Sequence, residues 1–346
     1  MKLGILKSET GKIHENWAIA CKKHNLEYQI IDLTASEWLE IIMKTNFSAF
    51  LACPPGSQTH LKQLYDERIN IIENSLNYFV YPSYKEILLH ENKKFLAYWL
   101  KANNIDHPST HVFYIQDEAM RFAHDCELPV VGKFNIGASG RGVQVFRERN
   151  KLYEYIKLAF SKGLRQSWGP NLKMGSNYSR IVNVIKNPAH LAKRLKTYNK
   201  LYNEIQKGFV ILQEFVHHEF EWRIVKIGNS FFAHKKIKQG DKASGTKGIT
   251  YDLPSNHLLD HINNISDVHG FNSMAVDLFE TDERNYLINE LQCAFGHIQE
   301  HICEKNGKPG RLIYDNQQWS FEEGLFNANL SYDLRLEHVL QILKTK

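Results

Sequence analysis

Leu128-Pro129-Val130-Val131-Gly132-Lys133, then Gly137-Ala138-Ser139-Gly140-Arg141-Gly142, then Val143-Gln144-Val145-Phe146, is the stretch on which the reading of this chain turns. Apolar β-formers flank a glycine cluster, so the order is strand, glycine loop, strand. A dinucleotide fingerprint or a P-loop runs strand, loop, helix, which argues against both. Glycines let backbone N–H groups approach phosphate oxygens closely, and Lys133 adds a point charge at the strand end. A β-hairpin carrying an exposed lysine has the same signature, so the stretch needs support from elsewhere in the chain.

Upstream, residues 1–90 alternate short apolar runs with helical patterns. Strands are expected at 3–6, 28–31, 49–52 and 78–80, and helices at 14–24, 36–44 and 59–74. That alternation predicts βαβ units and a parallel sheet. Cys53-Pro54-Pro55-Gly56-Ser57 follows the third strand, at a strand end where open α/β sheets place ligands; a simple Pro-Gly turn reads the same way. Phe95, Leu96, Trp99 and Leu100 recur at helical spacing within 91–103. Strands are expected at 112–115 and 129–134, with a helix at 116–126 between them.

Downstream, strands are expected at 209–213, 222–227 and 230–237, a polar loop at 238–248, and a helix at 256–268. Strands at 275–279 and 286–291 pair around Thr281-Asp282-Glu283-Arg284. The tail, 297–346, reads only as a final helix near 334–343. Asp277, Glu290 and Gln292 lie inside apolar strands, where an acid is costly unless paired or on a metal. Glu290 and Gln292 are two apart and share a strand face, and Asp277 reaches them across the hairpin. Two carboxylates and an amide oxygen make a hard-oxygen set suited to magnesium, with an ion-pair cluster as the structural alternative.

Bulk properties bound the rest. The 346 residues, 43% hydrophobic and 23% charged, suffice for two or three packed lobes. No apolar run approaches the roughly 18 residues of a membrane span, and the N-terminal apolar stretch is too short for a signal-peptide core, so a cytoplasmic location is expected. Five widely spaced cysteines without a CxxC pair predict buried thiols rather than a disulfide framework or zinc site. Net charge is +5, yet residues 161–208 hold ten Lys or Arg and the single acid Glu204, a local +9. That asymmetry suggests contact with an anion; a solvated basic helix face is the plain alternative.

The order of these pieces resembles the ATP-grasp superfamily, in its RimK-like and glutathione-synthetase-like branch, over about residues 80–296. The stretches that carry it are Asn92-Lys93 with Asn104-Ile105-Asp106-His107-Pro108; Pro129-Val130-Val131-Gly132-Lys133 with the glycine loop; Gln213-Glu214-Phe215-Val216; Glu221-Trp222-Arg223; and Ala275-Val276-Asp277-Leu278 with Asn289-Glu290-Leu291-Gln292. The departures are Asn92 for an acid, Gln292 for an asparagine, and Cys293-Ala294-Phe295-Gly296 after the metal strand. His234-Lys235-Lys236 stands where relatives often carry arginines.

The resemblance implies an α/β (α+β) ATP-grasp fold. Its parts would be an N-terminal Rossmann-like parallel-sheet domain (1–90), a small central lid domain with the basic insertion (91–215), and a C-terminal antiparallel-sheet domain (216–346). It implies a ligase that activates a carboxylate with ATP as acyl phosphate and joins it to an amine, with two Mg2+ ions or Mn2+ in their place. Lys93, Lys133, Gly137, Ser139, Gly140 and Gly142 would hold the phosphates. Glu214 and Val216 would read adenine and Glu221 the ribose. Asp277, Glu290 and Gln292 would bind metal, and Arg223, Lys235 or Lys236 would steady the transferred phosphoryl group. The acceptor would be an amino acid or peptide, or a uronic acid on a nucleotide sugar or anionic glycan, with a homo-oligomer as one assembly. A nucleic-acid-binding or regulatory protein on a silent fold, or a simple phosphotransferase, are the competing classes; aromatics in the basic stretch suit single strands.

Overall fold

The computed structural model describes the chain except residues 9–12, 138–141, 166–203, 241, 244–247, 282–284, 296–301 and 346. The chain divides into two compact units: Met1–Gly56, His60–Pro108 and Val216–Lys346 form the larger, and Ser57–Thr59 with Ser109–Phe215 the smaller.

The larger unit begins with alternating strands and helices: β1 (Lys2–Lys7), α1 (Ile13–Lys23), β2 (Glu27–Asp32), α2 (Trp38–Lys44), β3 (Ala49–Ala52), α3 (Thr59–Asn70), β4 (Val80–Tyr81), α4 (Tyr84–Leu89) and α5 (Lys93–Ala102). The strands pair in parallel in the order β2-β1-β3-β4. Order reverses between β1 and β3, so the loops leaving those two strands share one crevice at the carboxyl edge. Leu3, Ile5 and Leu51 are buried on one face with Trp17 and Cys21, as a sheet covered on both sides requires.

The smaller unit holds β5 (Thr110–Phe113), α6 (Gln116–Asp125), β6 (Val130–Lys133), β7 (Val143–Phe146), α7 (Arg149–Phe160), a short ribbon of β8 (Leu164–Arg165) with β9 (Ile205–Gln206), and β10 (Val210–Glu214). Its sheet runs β5-β10-β6-β7, antiparallel throughout. The strand–glycine loop–strand reading holds: β6 and β7 are a hairpin, and Phe134 N–H donates to Gly142 O at 3.0 Å. The basic stretch falls largely outside the described residues.

The larger unit resumes with β11 (Phe220–Ile227), β12 (Ser230–Gln239), β13 (Lys242–Ala243), β14 (Ile249–Thr250), α8 (Asn256–His269), β15 (Ser273–Glu280), β16 (Tyr286–Gln292), β17 (Glu304–Lys305), β18 (Lys308–Asp315), β19 (Gln318–Glu323) and α9 (Tyr332–Thr345). Its antiparallel sheet has the order β16-β15-β11-β12-β18-β17, with β13 and β14 on β12 and β19 on β18. A Ser255 cap starts α8 and left-handed Gly270 ends it. The expected loop at 238–248 is partly strand, since β12 extends to Gln239 and β13 folds back on it. The β18–β19 hairpin lay hidden in the unassigned tail. Its two turn residues, Asn316 and Gln317, both take positive φ (48° and 62°), a turn that normally announces itself as Asn-Gly.

Glu86 ties the two sheets of the larger unit together. It is fully buried; one carboxylate oxygen accepts from Asn272 N and Ser273 N, ahead of and at the start of β15, at 2.8 and 2.7 Å. The other closes a capping box with Ser83 on α4. Glu86→Ala should lower stability by about 3 kcal/mol, because two buried N–H donors and a cap lose their acceptor. A urea unfolding curve should show a lower midpoint at unchanged slope, with Glu86→Gln recovering part of the loss through its amide oxygen.

Candidate active site

The site is built on one face of the antiparallel sheet. Register puts Glu221 opposite Lys236, and Arg223 opposite both His234 and Asp277. Asp277 in turn lies opposite Glu290. Directly paired residues share a face, and so do residues two apart along a strand. Four strands therefore bring Glu221, Arg223, Lys236, Asp277, Glu290 and Gln292 to one surface.

Asp277 is its hub. Only 2% exposed, it accepts from Arg223 Nε and Nη2 at 2.7 Å each, and Lys236 Nζ lies 2.8 Å away. Burial alone would raise the Asp277 pKa, but Arg223 and Lys236 outweigh it and hold the carboxyl well below its ordinary range. Burial likewise opposes the charges on Arg223 and Lys236, and the facing carboxylates more than restore them. Lys236 also pairs with Glu221, whose other oxygen accepts from Asn289. Arg223 Nη2 reaches Gln292 Oε1 at 3.2 Å.

A second group joins from the start of α5 and the residues just before it. Lys93 Nζ stands 3.1 Å from Glu91 and 3.2 Å from Glu290. Burial works against the Lys93 charge, and the two glutamates override it, raising its pKa. Gln292 Nε2 donates to Glu91 Oε1 at 3.1 Å, so Gln292 links Arg223 to Glu91. Asn92, which stands in place of an acid, caps α5 by accepting from Phe95 N.

Two members of this group escaped the sequence reading. Glu91 is 2% exposed and left-handed (φ 49°), a conformation that costs a glutamate on the order of 1 kcal/mol. Its signal was present, since the acid missing at position 92 stands one residue earlier. Asn289 is recruited by a bulge: Asp277 pairs with Glu290 but Leu278 with Ile288, so Asn289 is an extra residue and its side chain reaches Glu221.

Lys235 is not brought into the cluster. As the strand neighbour of Lys236 it points to the opposite face, where it pairs with Asp252 at 3.1 Å and lies over the Phe220 and Trp222 rings. Val216 begins the chain's return to the larger unit, and its carbonyl lies 2.8 Å from His218 Nδ1.

In the smaller unit, Lys133 ends β6 opposite Ile211 of β10 and Val143 of β7 and is largely buried. Gly142 has φ +76°, and a Cβ there would strike Phe134 at 2.7 Å, so glycine is required for the loop to return. Gly137 opens that loop; Ser139 and Gly140 lie outside the described residues. Glu214 is exposed at the end of β10, its N–H bonded to Ser109 O at 2.9 Å. It pairs with Val130, so its side chain leaves the sheet on the face opposite Lys133.

The cluster around Asp277 holds four carboxylates (Glu91, Glu221, Asp277, Glu290) against three cations (Lys93, Arg223, Lys236), one negative charge in excess. Among the described residues no group of three or more His, Cys, Asp or Glu is arranged to hold a metal by itself. The donor set that fits a hard divalent cation is mixed: Glu290, Asp277 and the Gln292 amide oxygen, with Arg223 and Lys236 already sharing the anionic charge. All five cysteines are free, and burial pushes the Cys21 thiol up to about 11. Among the described residues no helix is long and apolar enough to cross a membrane.

Asp277→Asn should cost about 3–5 kcal/mol at neutral pH, because Arg223 and Lys236 remain buried without their counter-charge. Folding lowers this carboxyl below its ordinary value of 3.8, so its contribution is complete above about pH 4 and disappears as pH falls through the folded value. Urea unfolding at several pH values should therefore show wild type and variant converging in acid.

No family model and no curated protein matches the sequence. Solved structures do. A RimK domain ATP-grasp protein from Sphaerobacter thermophilus superposes with TM-score 0.50 at 14% identity, over 84% of this chain and 90% of that one. D-alanine–D-alanine ligase from Bacillus anthracis gives 0.54 at 12% identity over 100% and 99%. The ADP complex of N5-carboxyaminoimidazole ribonucleotide synthetase gives 0.58 at 13% identity over 87% and 71%. At such identities the likeness is one of fold, and the fold of this chain is the ATP-grasp fold.

Proposed function

We propose that the protein is an ATP-dependent ligase that joins a carboxylate to an amine through an acyl phosphate, releasing ADP and phosphate. The observation that supports this most is the Asp277 cluster: a largely buried, almost balanced set of acids and cations, one charge short of neutrality, with Glu290 left partly exposed. A structural ion-pair cluster has no need of an excess anion. A seat for a metal–phosphate group does. The fold agrees, since the similar structures include a ligase and the ADP complex of a synthetase.

In this reading Asp277, Glu290 and Gln292 hold magnesium, which would neutralise phosphate charge and polarise the transferred group. Lys93, anchored between Glu91 and Glu290, presents a fixed ammonium to the polyphosphate. Arg223 and Lys236, which hold Asp277 in this structure, would also supply positive charge to the phosphoryl oxygens. Lys235 drops out of that role because it faces away. In the smaller unit, Lys133 and the backbone of the loop from Gly137 through Ser139 and Gly140 to Gly142 contact phosphate. Glu214 and Val216 bound the strand edge that reads adenine, and Glu221 reaches the ribose.

The chemistry balances without redox. A carboxylate oxygen attacks the γ-phosphorus, the bond to the ADP oxygen breaks, and an acyl phosphate forms. The amine nitrogen then attacks the acyl carbon, phosphate leaves, and the amine loses a proton. Phosphorylation is needed because a carboxylate offers no good leaving group, and the protein's part is positioning and charge neutralisation. The acceptor is an amino acid, a peptide or a uronic acid.

ADP release should be assayed over pooled carboxylates and amines, including uronic-acid sugar nucleotides, with hydroxylamine replacing the amine in a second series. At least one pool should stimulate ADP release and yield a hydroxamate, and Glu290→Ala should reduce the rate by about 1,000-fold or more. ADP release without hydroxamate would indicate simple phosphotransfer, and near-wild-type turnover in the variant would remove Glu290 from the metal set.

A further inference from the structure

The side-chain amide of Gln292 stands between two groups of opposite charge. Its Oε1 accepts from Arg223 Nη2 at 3.2 Å, and its Nε2 donates to Glu91 Oε1 at 3.1 Å. A carboxamide fits its socket either way round, and here the neighbours decide which way. A guanidinium only donates and an ionised carboxylate only accepts, so both contacts hold in one orientation alone. Reversed, the amide NH2 would face the Arg223 N–H groups, and the amide oxygen would face a carboxylate oxygen.

Both selecting groups are themselves fixed. Arg223 is held by Asp277, through Nε and the same Nη2, at 2.7 Å each. Gln292 Oε1 and Asp277 Oδ2 therefore share one nitrogen as a neighbour. Both oxygens of Glu91 are committed, Oε1 to Gln292 and Oε2 to Lys93 Nζ at 3.1 Å. Glu91 is 2% exposed, and its left-handed backbone holds it against its own conformational preference. The loop after β3 closes a further side, since a Cβ at Gly56 would lie 2.9 Å from Glu91 Cγ. Glu91 also reaches Glu290 through Lys93, which stands 3.2 Å from that carboxylate.

We propose that Glu91 is a positioning residue, whose carboxylate selects the amide orientation that turns the Gln292 oxygen toward Asp277 and offers it to a divalent cation. An amide oxygen has two lone pairs, so the contact with Arg223 does not exhaust it. Gln292 stands where the ATP-grasp pattern carries an asparagine. The longer side chain has one more torsion to fix, and Glu91 supplies that restraint. Outer partners of this kind orient the groups that touch a metal. The metal role of Gln292 rests on the ligase reading; the orientation of its amide does not.

Two measurements on the full-length protein test this. The first uses neither nucleotide nor metal. With 15N in the glutamine side-chain amides, the Gln292 signals are assigned by their disappearance in Gln292→Glu. In wild type one Nε2 proton should be protected from exchange with solvent; a rapidly exchanging, averaged pair overturns the proposal even where no Glu91 variant folds. The second follows Mn2+ uptake in the presence of ATP by the free-ion electron paramagnetic resonance signal, for Glu91→Gln in two backgrounds. With Gln292 unchanged, two facing amides pair either way round, and the apparent Mn2+ affinity should fall about tenfold. With Gln292→Glu also present, the new amide at 91 donates to the new carboxylate at 292, and the same Glu91→Gln change should leave the affinity unchanged or raise it. An equal loss in both backgrounds would show Glu91 acting only as a nearby negative charge, and no loss with Gln292 unchanged would show no action on the metal seat; either overturns the proposal. No uptake by wild type beyond what ATP itself binds removes the metal reading and this role of Glu91 with it, so the wild-type control tells the two failures apart.

Discussion

The contact between Asp277 and its two cations, Arg223 and Lys236, is the constraint that the rest of the larger unit serves. Three charged side chains, two nearly excluded from water and Arg223 largely so, are tolerable only if their oxygens and N–H groups meet partners. That demand fixes the pairing of β11, β12 and β15, because a one-residue slip on any of them would carry one charge to the apolar face. The opposite face shows what such a slip would meet: Trp222, Ile224 and Leu278 are buried there, and α8 covers it with Leu258, Leu259 and Ile262. Lys226, the one cation on that side of β11 within the strand, escapes to α8 and pairs with Asp267 at 2.6 Å.

The cluster also explains features that look local. The bulge in β16 exists where Asn289 turns to satisfy Glu221. The left-handed backbone at Glu91 is held by Lys93, Gln292 and the close approach of Gly56. Glu86 fastens α4, and with it the segment carrying Glu91 and Lys93, to the start of β15, the strand of Asp277. Each of these is a strain or a burial that makes sense only if the charges on the sheet face must be held still. Under the proposed function this is preorganisation: the donors would be aligned before any phosphate arrives.

Much of this was legible in the sequence. Acids inside apolar strands at 277 and 290 announced a polar seat, and spacing of two put Gln292 with them. The strand–loop–strand order around Lys133 separated this chain from helix-bound phosphate sites. Other parts were not legible for physical reasons. Lys235 and Lys236 are adjacent, and only the register of β12 with β11 decides which one faces the acids. Asn289 enters through a bulge, which is a property of a pair of strands and not of either alone. The β18–β19 hairpin turns on Asn316-Gln317, without the glycine that would have flagged it.

The central claim is that the Asp277 face is a metal–nucleotide seat and not a structural ion-pair cluster. Uptake of Mn2+ followed by the free-ion electron paramagnetic resonance signal tests it without knowledge of the carboxylate or amine. The account predicts that wild-type protein with ATP removes Mn2+ from the free signal beyond what ATP alone binds, and that Glu290→Gln, which keeps the side chain's size, does not. Equal uptake by wild type and Glu290→Gln, or none by either, would contradict it.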